Sequence, residues 1–246
     1  MKIPFQFGVT AFANAFLLLT LASAQSIVPL SSTDEVVAKM VERDTQREAE
    51  LGGYTATRHY VVVHKRTRAE MKVEVTCTGN GAKQFKILSE EGPYVIRSLV
   101  LERMLKEEAE SSRPEIRKFN RIAPGNYDFR LMGKDSVNGH PAYLLQVTPK
   151  HINKYLIEGN IWVDAEDYSI VRIEGQPARN PSFWIRTTHF VHTYQKVGPF
   201  WFAASTHSVS DIRIYGSAEV MIDNYDYVTR TVNNHSDGNR QARLGQ

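Results

Sequence analysis

His189 and His192 stand three residues apart, and His207 follows within twenty residues, a set that could offer imidazole nitrogens to a zinc ion. The segment around the first two reads as a strand. Residues three apart on a strand point to opposite sides, so one ion cannot take both without a bulge. No His-Glu-x-x-His pattern supports a metal centre. Asp164, Glu166 and Asp167 suggest calcium or acid–base work, but they lie in a short turn, where aspartate serves backbone hydrogen bonding. The alternating ligands, central glycine and distant glutamate of a calcium loop are missing. Cys77 is the only cysteine; on a strand it shares a face with Val73 and Val75, which reads as a buried apolar thiol. Gly-x-Ser-x-Gly, Ser-x-x-Lys and a glycine-rich phosphate loop are all absent. The chain therefore reads as a binding protein and not an enzyme, with no catalytic residues, metal or cofactor expected.

Aromatic residues are the remaining signal. Trp162, Trp184 and Trp201 fall in three C-terminal strands, with Phe183, Phe190, Phe200, Phe202, Tyr194, Tyr225 and Tyr227 around them. Phe183-Trp184-Ile185 and Phe200-Trp201-Phe202 place apolar groups on both faces of their strands. Two readings stay open: ordinary β core under helices, or the concave wall of a partly open barrel that holds a lipid-like ligand.

The elements that must position these residues are readable along the chain. Ser32 and Glu35 have capping-box spacing at the start of a helix whose stripe is Val36, Val37, Met40 and Val41. Residues 42–50 are almost all charged or polar and read as solvated, and Gly52-Gly53 is expected to end the helix. Strands are predicted over 54–65, 70–78 and 83–89, and Thr78-Gly79-Asn80-Gly81 has the residues of a tight hairpin. A second helix, 93–110, is apolar nearly all round: it is either sandwiched in a core or lodged at the mouth of a curved sheet. A polar connection over 111–126 follows. Val137-Asn138-Gly139 predicts a hairpin, and turn-sized links join strands over 155–163, 168–174, 182–194, 200–214 and 217–228 into an antiparallel meander.

The first 24 residues read as a signal peptide: Lys2, an apolar stretch from Phe5 to Leu21, and Ala22-Ser23-Ala24 as the cleavage pattern. The expected organisation is residues 1–24 as signal, 25–229 as one domain and 230–246 as a polar, disordered tail. One cysteine leaves no intramolecular disulfide, so stability must come from packing. A net charge of +3 without a basic block excludes nucleic acid as an evident partner.

Three passages carry a family resemblance: Gly159-x-Ile161-Trp162-Val163-Asp164 with Ile170-Val171-Arg172-Ile173-Glu174-Gly175, then Ser182-Phe183-Trp184-Ile185, then Ala218-x-Val220-x-Ile222-x-x-Tyr225. With the order of elements, they make the chain resemble a divergent member of the lipoprotein-localisation factor superfamily (LolA/LolB-like, outer-membrane lipoprotein-sorting proteins). The passage Ser89-Glu90-Glu91-Gly92-Pro93-Tyr94-Val95-Ile96-Arg97 departs from the aromatic–proline passage of the carrier itself. The resemblance implies a mainly β (α+β) fold: a half-open antiparallel β-barrel with helices packed on its concave face. It implies a monomeric periplasmic carrier, cleaved after Ala24, that binds an acylated lipoprotein or a lipid, with an inner- or outer-membrane protein as a further partner. The alternatives are an RseB-like envelope sensor without transfer activity and a hydrolase with a scattered active site. The expected apolar cavity lining is Phe85, Ile87, Val95, Leu99, Trp162, Trp184, Phe190 and Phe202.

Overall fold

The computed structural model describes residues 32–180, 183, 185–214 and 216–232, so the signal-peptide expectation, the expected tail beyond Val232, and Ser182 and Trp184 lie outside the described residues, while Arg230 and Thr231, expected in the tail, belong to the last strand. Helix α1, Thr33–Glu50, starts where its cap is written: the Glu35 backbone N–H donates to Ser32 Oγ at 3.1 Å. It ends at Glu50 and passes straight into strand β1, Leu51–His64. Gly52 and Gly53 therefore lie in a strand and do not stop the helix. Gly53 is needed for close approach, since a Cβ there would sit 2.5 Å from the Cys77 carbonyl oxygen of the neighbouring strand.

Strands β2 (Thr67–Thr78) and β3 (Lys83–Glu91) complete the first meander. A helical run follows as α2 (Tyr94–Ile96), a π-helical turn (Arg97–Leu101) and α3 (Glu102–Ser111), then the short α4 (Pro114–Arg117). The second meander is β4 (Tyr127–Val137), β5 (His140–Pro149), β6 (Ile157–Asp164), β7 (Ile170–Pro177), β8 (Ile185–Val197), β9 (Phe200–Ile212) and β10 (Gly216–Thr231). The Asn-Gly hairpin is present, with Asn138 at φ 51° and Gly139 at φ 82°, the paired positive values of a type I′ turn. β10 runs beyond the expected Val228, because Thr229, Arg230 and Thr231 still find partners in Tyr54, Gly53 and Leu51.

All ten strands form one antiparallel sheet in the order β3-β2-β1-β10-β9-β8-β7-β6-β5-β4. The edge strands β3 and β4 are not paired to each other, so the sheet is not closed: a half-open barrel with few helices, mainly β. The join between the meanders is β1 with β10, where Arg58 faces Asn224 and Tyr60 faces Ile222.

Helices cover the inner face in two places. Leu101 and Leu105 of the helical run, with Ile96, Val100 and Met104, pack on Tyr60, Met71, Val73 and Val75 of β1 and β2. Val36, Val37 and Met40 of α1 pack on Tyr143, Leu145, Ile161, Val163 and Ile173 of β5 to β7. The apolar-all-round helix is therefore buried on one side only; Val95 and Leu99 on its other side are 62% and 66% exposed. Trp162 alternates with Ile161 and Val163, so strand geometry turns it away from α1. It packs with Ala142 and Val171 and donates from Nε1 to Asp135 at 2.8 Å.

Candidate functional site

A cavity of about 470 Å³ opens between α1, the segment after α3, and the inner face of the sheet. That volume lies in the ~300–1,000 Å³ range of small-molecule sites. Residues three and four apart share a helix face, and α1 accordingly contributes Met40, Arg43, Asp44, Arg47 and Glu48 as one row. The half of α1 expected to be solvated is thus a cavity wall. The periodic positions are filled by long charged side chains, whose stems can lie on apolar surface while their heads stay polar.

Two ionic clusters frame the space. On the α1 side, Arg121 donates to Asp44 from Nη2 at 2.7 Å and from Nε at 2.9 Å, and Arg117 pairs with Glu48. These bonds tie α1 to the chain that follows α3. Deeper in, Arg58 of β1 donates to Glu108 of α3 at 2.5 Å and to Asn224 at 2.6 Å, and Lys83 of β3 donates to the other Glu108 oxygen at 2.7 Å. Arg58 also donates to the Tyr60 hydroxyl at 3.0 Å. One carboxylate thus bridges two cations from different strands and pins α3 to the sheet.

The electrostatics of this inner cluster lock its groups in their charged forms. Burial works against the Glu108 carboxylate, but Lys83 and Arg58 outweigh it and hold its pKa down at about 2. Burial likewise disfavours charged Lys83 and Arg58, yet Glu108 raises both. Burial pushes the Tyr60 hydroxyl up to about 12 and raises Tyr194 as well. Burial also lowers His192, to about 4, so its ring is neutral at pH 7. Every one of these shifts moves a pKa further from 7, the opposite of what proton transfer at physiological pH requires.

His192 gives a pH prediction. Its folded pKa lies below its unfolded value, so its contribution to stability is fully present above about pH 6.5 and is lost as the pH falls toward 4. Thermal melts are expected to drop across that window, and a His192→Gln variant should be flatter there. An equal slope in both proteins would refute this assignment.

Of the residues expected to line an apolar cavity, Phe202 lines this one. Its ring lies 5.0 Å from Tyr54 and 4.7 Å from Tyr227. Phe85 is half-buried near the inner cluster, its ring 5.8 Å from the Arg58 guanidinium carbon. Phe190 is buried in the α1 cluster, Ile87, Val95 and Leu99 are exposed, and Trp162 faces the other way. The cavity is more charged than the sequence suggested. Arg43, Arg47, Arg58, Lys83, Glu108, Arg117 and Arg121 carried no motif; the available signal was the i, i+4 pairs Arg43/Arg47 and Asp44/Glu48 on a helix.

The other candidate groups take the structural roles their positions imply. His189 is exposed, while His192, on the opposite face, meets Thr206 Oγ1 at 2.6 Å through Nδ1. Asp164 Oδ1 accepts from the Glu166 and Asp167 backbone N–H groups at 2.9 and 3.0 Å, which is turn chemistry. Asp167 accepts from Trp201 Nε1 at 2.9 Å and Lys196 at 3.0 Å. Cys77 is buried.

No family model and no curated protein matches the chain. Among solved structures it is similar to a LolA superfamily protein from Nitrosomonas europaea, at 10% identity and a TM-score of 0.44, over 82% of this chain and 96% of that one. A DUF1329 family protein from Desulfovibrio piger is 11% identical with a TM-score of 0.44, covering 81% of this chain and 94% of that one. An outer membrane lipoprotein-sorting protein domain from Vibrio parahaemolyticus is 13% identical with a TM-score of 0.42, covering 79% and 92%. What the cavity holds must be argued from its own side chains.

Proposed function

We propose that the protein is an exported, periplasmic binding protein that holds the acyl chain of a lipid or lipoprotein against the inner face of its open sheet, and passes it on. The observation that carries this reading is the cavity under α1. Tyr54 and Phe202 give it an apolar floor, Ile122, Ile170 and Ile173 add aliphatic wall, and the sheet is left unclosed. Each methylene buried there is worth ~0.8 kcal/mol, so a single chain can be retained without covalent chemistry. The ionised cluster beside it supports binding over acid–base catalysis, for the reason given by its displaced pKa values.

Ile87, Val95 and Leu99, apolar and exposed on β3 and the helical run, extend the proposal: they offer an apolar approach for cargo or for a membrane protein partner. The same exposed residues favour a second reading, an envelope sensor that binds a protein and transfers nothing.

Protein purified from its native host, extracted and analysed by mass spectrometry, is expected to yield acyl species near one equivalent. Clean protein that also fails to take up acyl chains when they are supplied would remove the carrier reading. A stable complex with a membrane protein from such acyl-free material would favour the sensor.

A further inference from the structure

We infer that the cavity recognises a negatively charged head group, a carboxylate or phosphate on a single alkyl chain, through Arg47. The inference rests on the acyl-binding reading above and narrows it to lipids that carry their own charge.

The charged residues lining the cavity are unbalanced: six are cationic and three acidic. All three carboxylates are already engaged, Glu108 by Arg58 and Lys83, Asp44 by Arg121, and Glu48 by Arg117 and Arg121. The surplus cations are Arg43 and Arg47, one turn apart on α1. Arg43 donates from Nη2 to the Pro199 carbonyl at 2.8 Å. Arg47 makes no side-chain hydrogen bond or ion pair among the described residues; its guanidinium carbon lies 5.4 Å from the centre of the Phe202 ring.

The Nε atoms of both arginines are shielded from solvent and lack an acceptor. Shielded donors without acceptors are uncommon in folded proteins and call for an explanation. A guanidinium offers a fork of N–H groups matched to carboxylate and phosphate oxygens, so an anion at this place would satisfy what the protein leaves open. The Phe202 ring lies within cation–π range of the guanidinium and packs edge-on against Tyr54. A ligand with one anionic end and an alkyl body matches both features; a neutral acylated peptide terminus leaves Arg47 unanswered.

The test compares dodecanoate, dodecyl phosphate and dodecanol for displacement of a fluorescent fatty-acid probe from the purified protein. At least one anion is expected to bind about tenfold or more tightly than the alcohol. The stronger of the two anions identifies the head group as carboxylate or phosphate. Arg47→Gln is expected to erase that preference, the anions binding no tighter than dodecanol to the same variant, and Arg47→Lys to keep only the smaller part that a point charge supplies. The wild-type comparison stands without any variant. If dodecanol binds as tightly as both anions, the head-group inference falls and acyl binding remains. Binding of none of the three overturns both. An anion preference that survives Arg47→Gln overturns the assignment to Arg47.

Discussion

Replacing Glu108 with alanine is expected to lower stability by about 3 kcal/mol, because it strands two cations, Arg58 and Lys83, with no carboxylate between them. Breaking a buried ion pair from one side typically costs ~3–5 kcal/mol, and the lower end applies here since the Glu108 side chain keeps 29% exposure. Urea unfolding at pH 7 should show a lower midpoint with an unchanged slope. The gap should close in acid. Glu108 titrates near 2 in the folded protein and near 4.5 unfolded, so its contribution is complete above about pH 4.5 and is lost as the pH falls toward 2. A triple replacement of Arg58, Lys83 and Glu108 by methionine or leucine should recover much of the loss. A Glu108→Ala protein as stable as wild type would mean that this cluster does not pin α3 to the sheet.

The second large effect is expected at Phe202. Its side chain is 2% exposed and sits among Tyr54, Phe200 and Tyr227, with ring centres 4.7–6.2 Å away. Truncation to alanine removes these contacts and leaves a void that the β1 and β10 backbones cannot collapse into, for about 4 kcal/mol. Phe202→Leu keeps most of the volume and should cost under about 1.5 kcal/mol. Thermal and urea unfolding of both variants measure this directly. Equal, small losses in the two would mean that the aromatic floor is not a tightly packed unit.

The strands and hairpins were legible because their signals are local. Met71, Val73, Val75 and Cys77 alternate with Lys72, Glu74 and Thr76, and Asn138-Gly139 can scarcely serve another purpose. Ser32 announced α1 for the same reason. What the sequence did not disclose depends on partners far along the chain. Nothing near Arg58 points to Glu108, fifty residues on, or to Asn224 on the last strand. Charged residues 42–50 look like a solvated helix face until the segment bearing Arg117 and Arg121 is brought against them. Ile161, Trp162 and Val163 make both faces of their strand apolar, so the sequence leaves the facing of Trp162 open; the register with Leu144 and Arg172 decides which way it turns.

The pairing of β1 with β10 carries a consequence for biogenesis. Each meander can form from neighbouring segments as it emerges, but the seam between them joins Leu51 to Thr231 and His64 to Ala218. Such long-range pairings are slow, since a large loop must close before any contact rewards it. The seam also supplies Asn224 to Arg58, so the charged latch under α3 cannot be completed until the final strand arrives. Until β10 pairs, β1 has one unpaired edge and the two meanders share no strand ladder. Completion of the whole sheet therefore waits on β10, the last of the described strands.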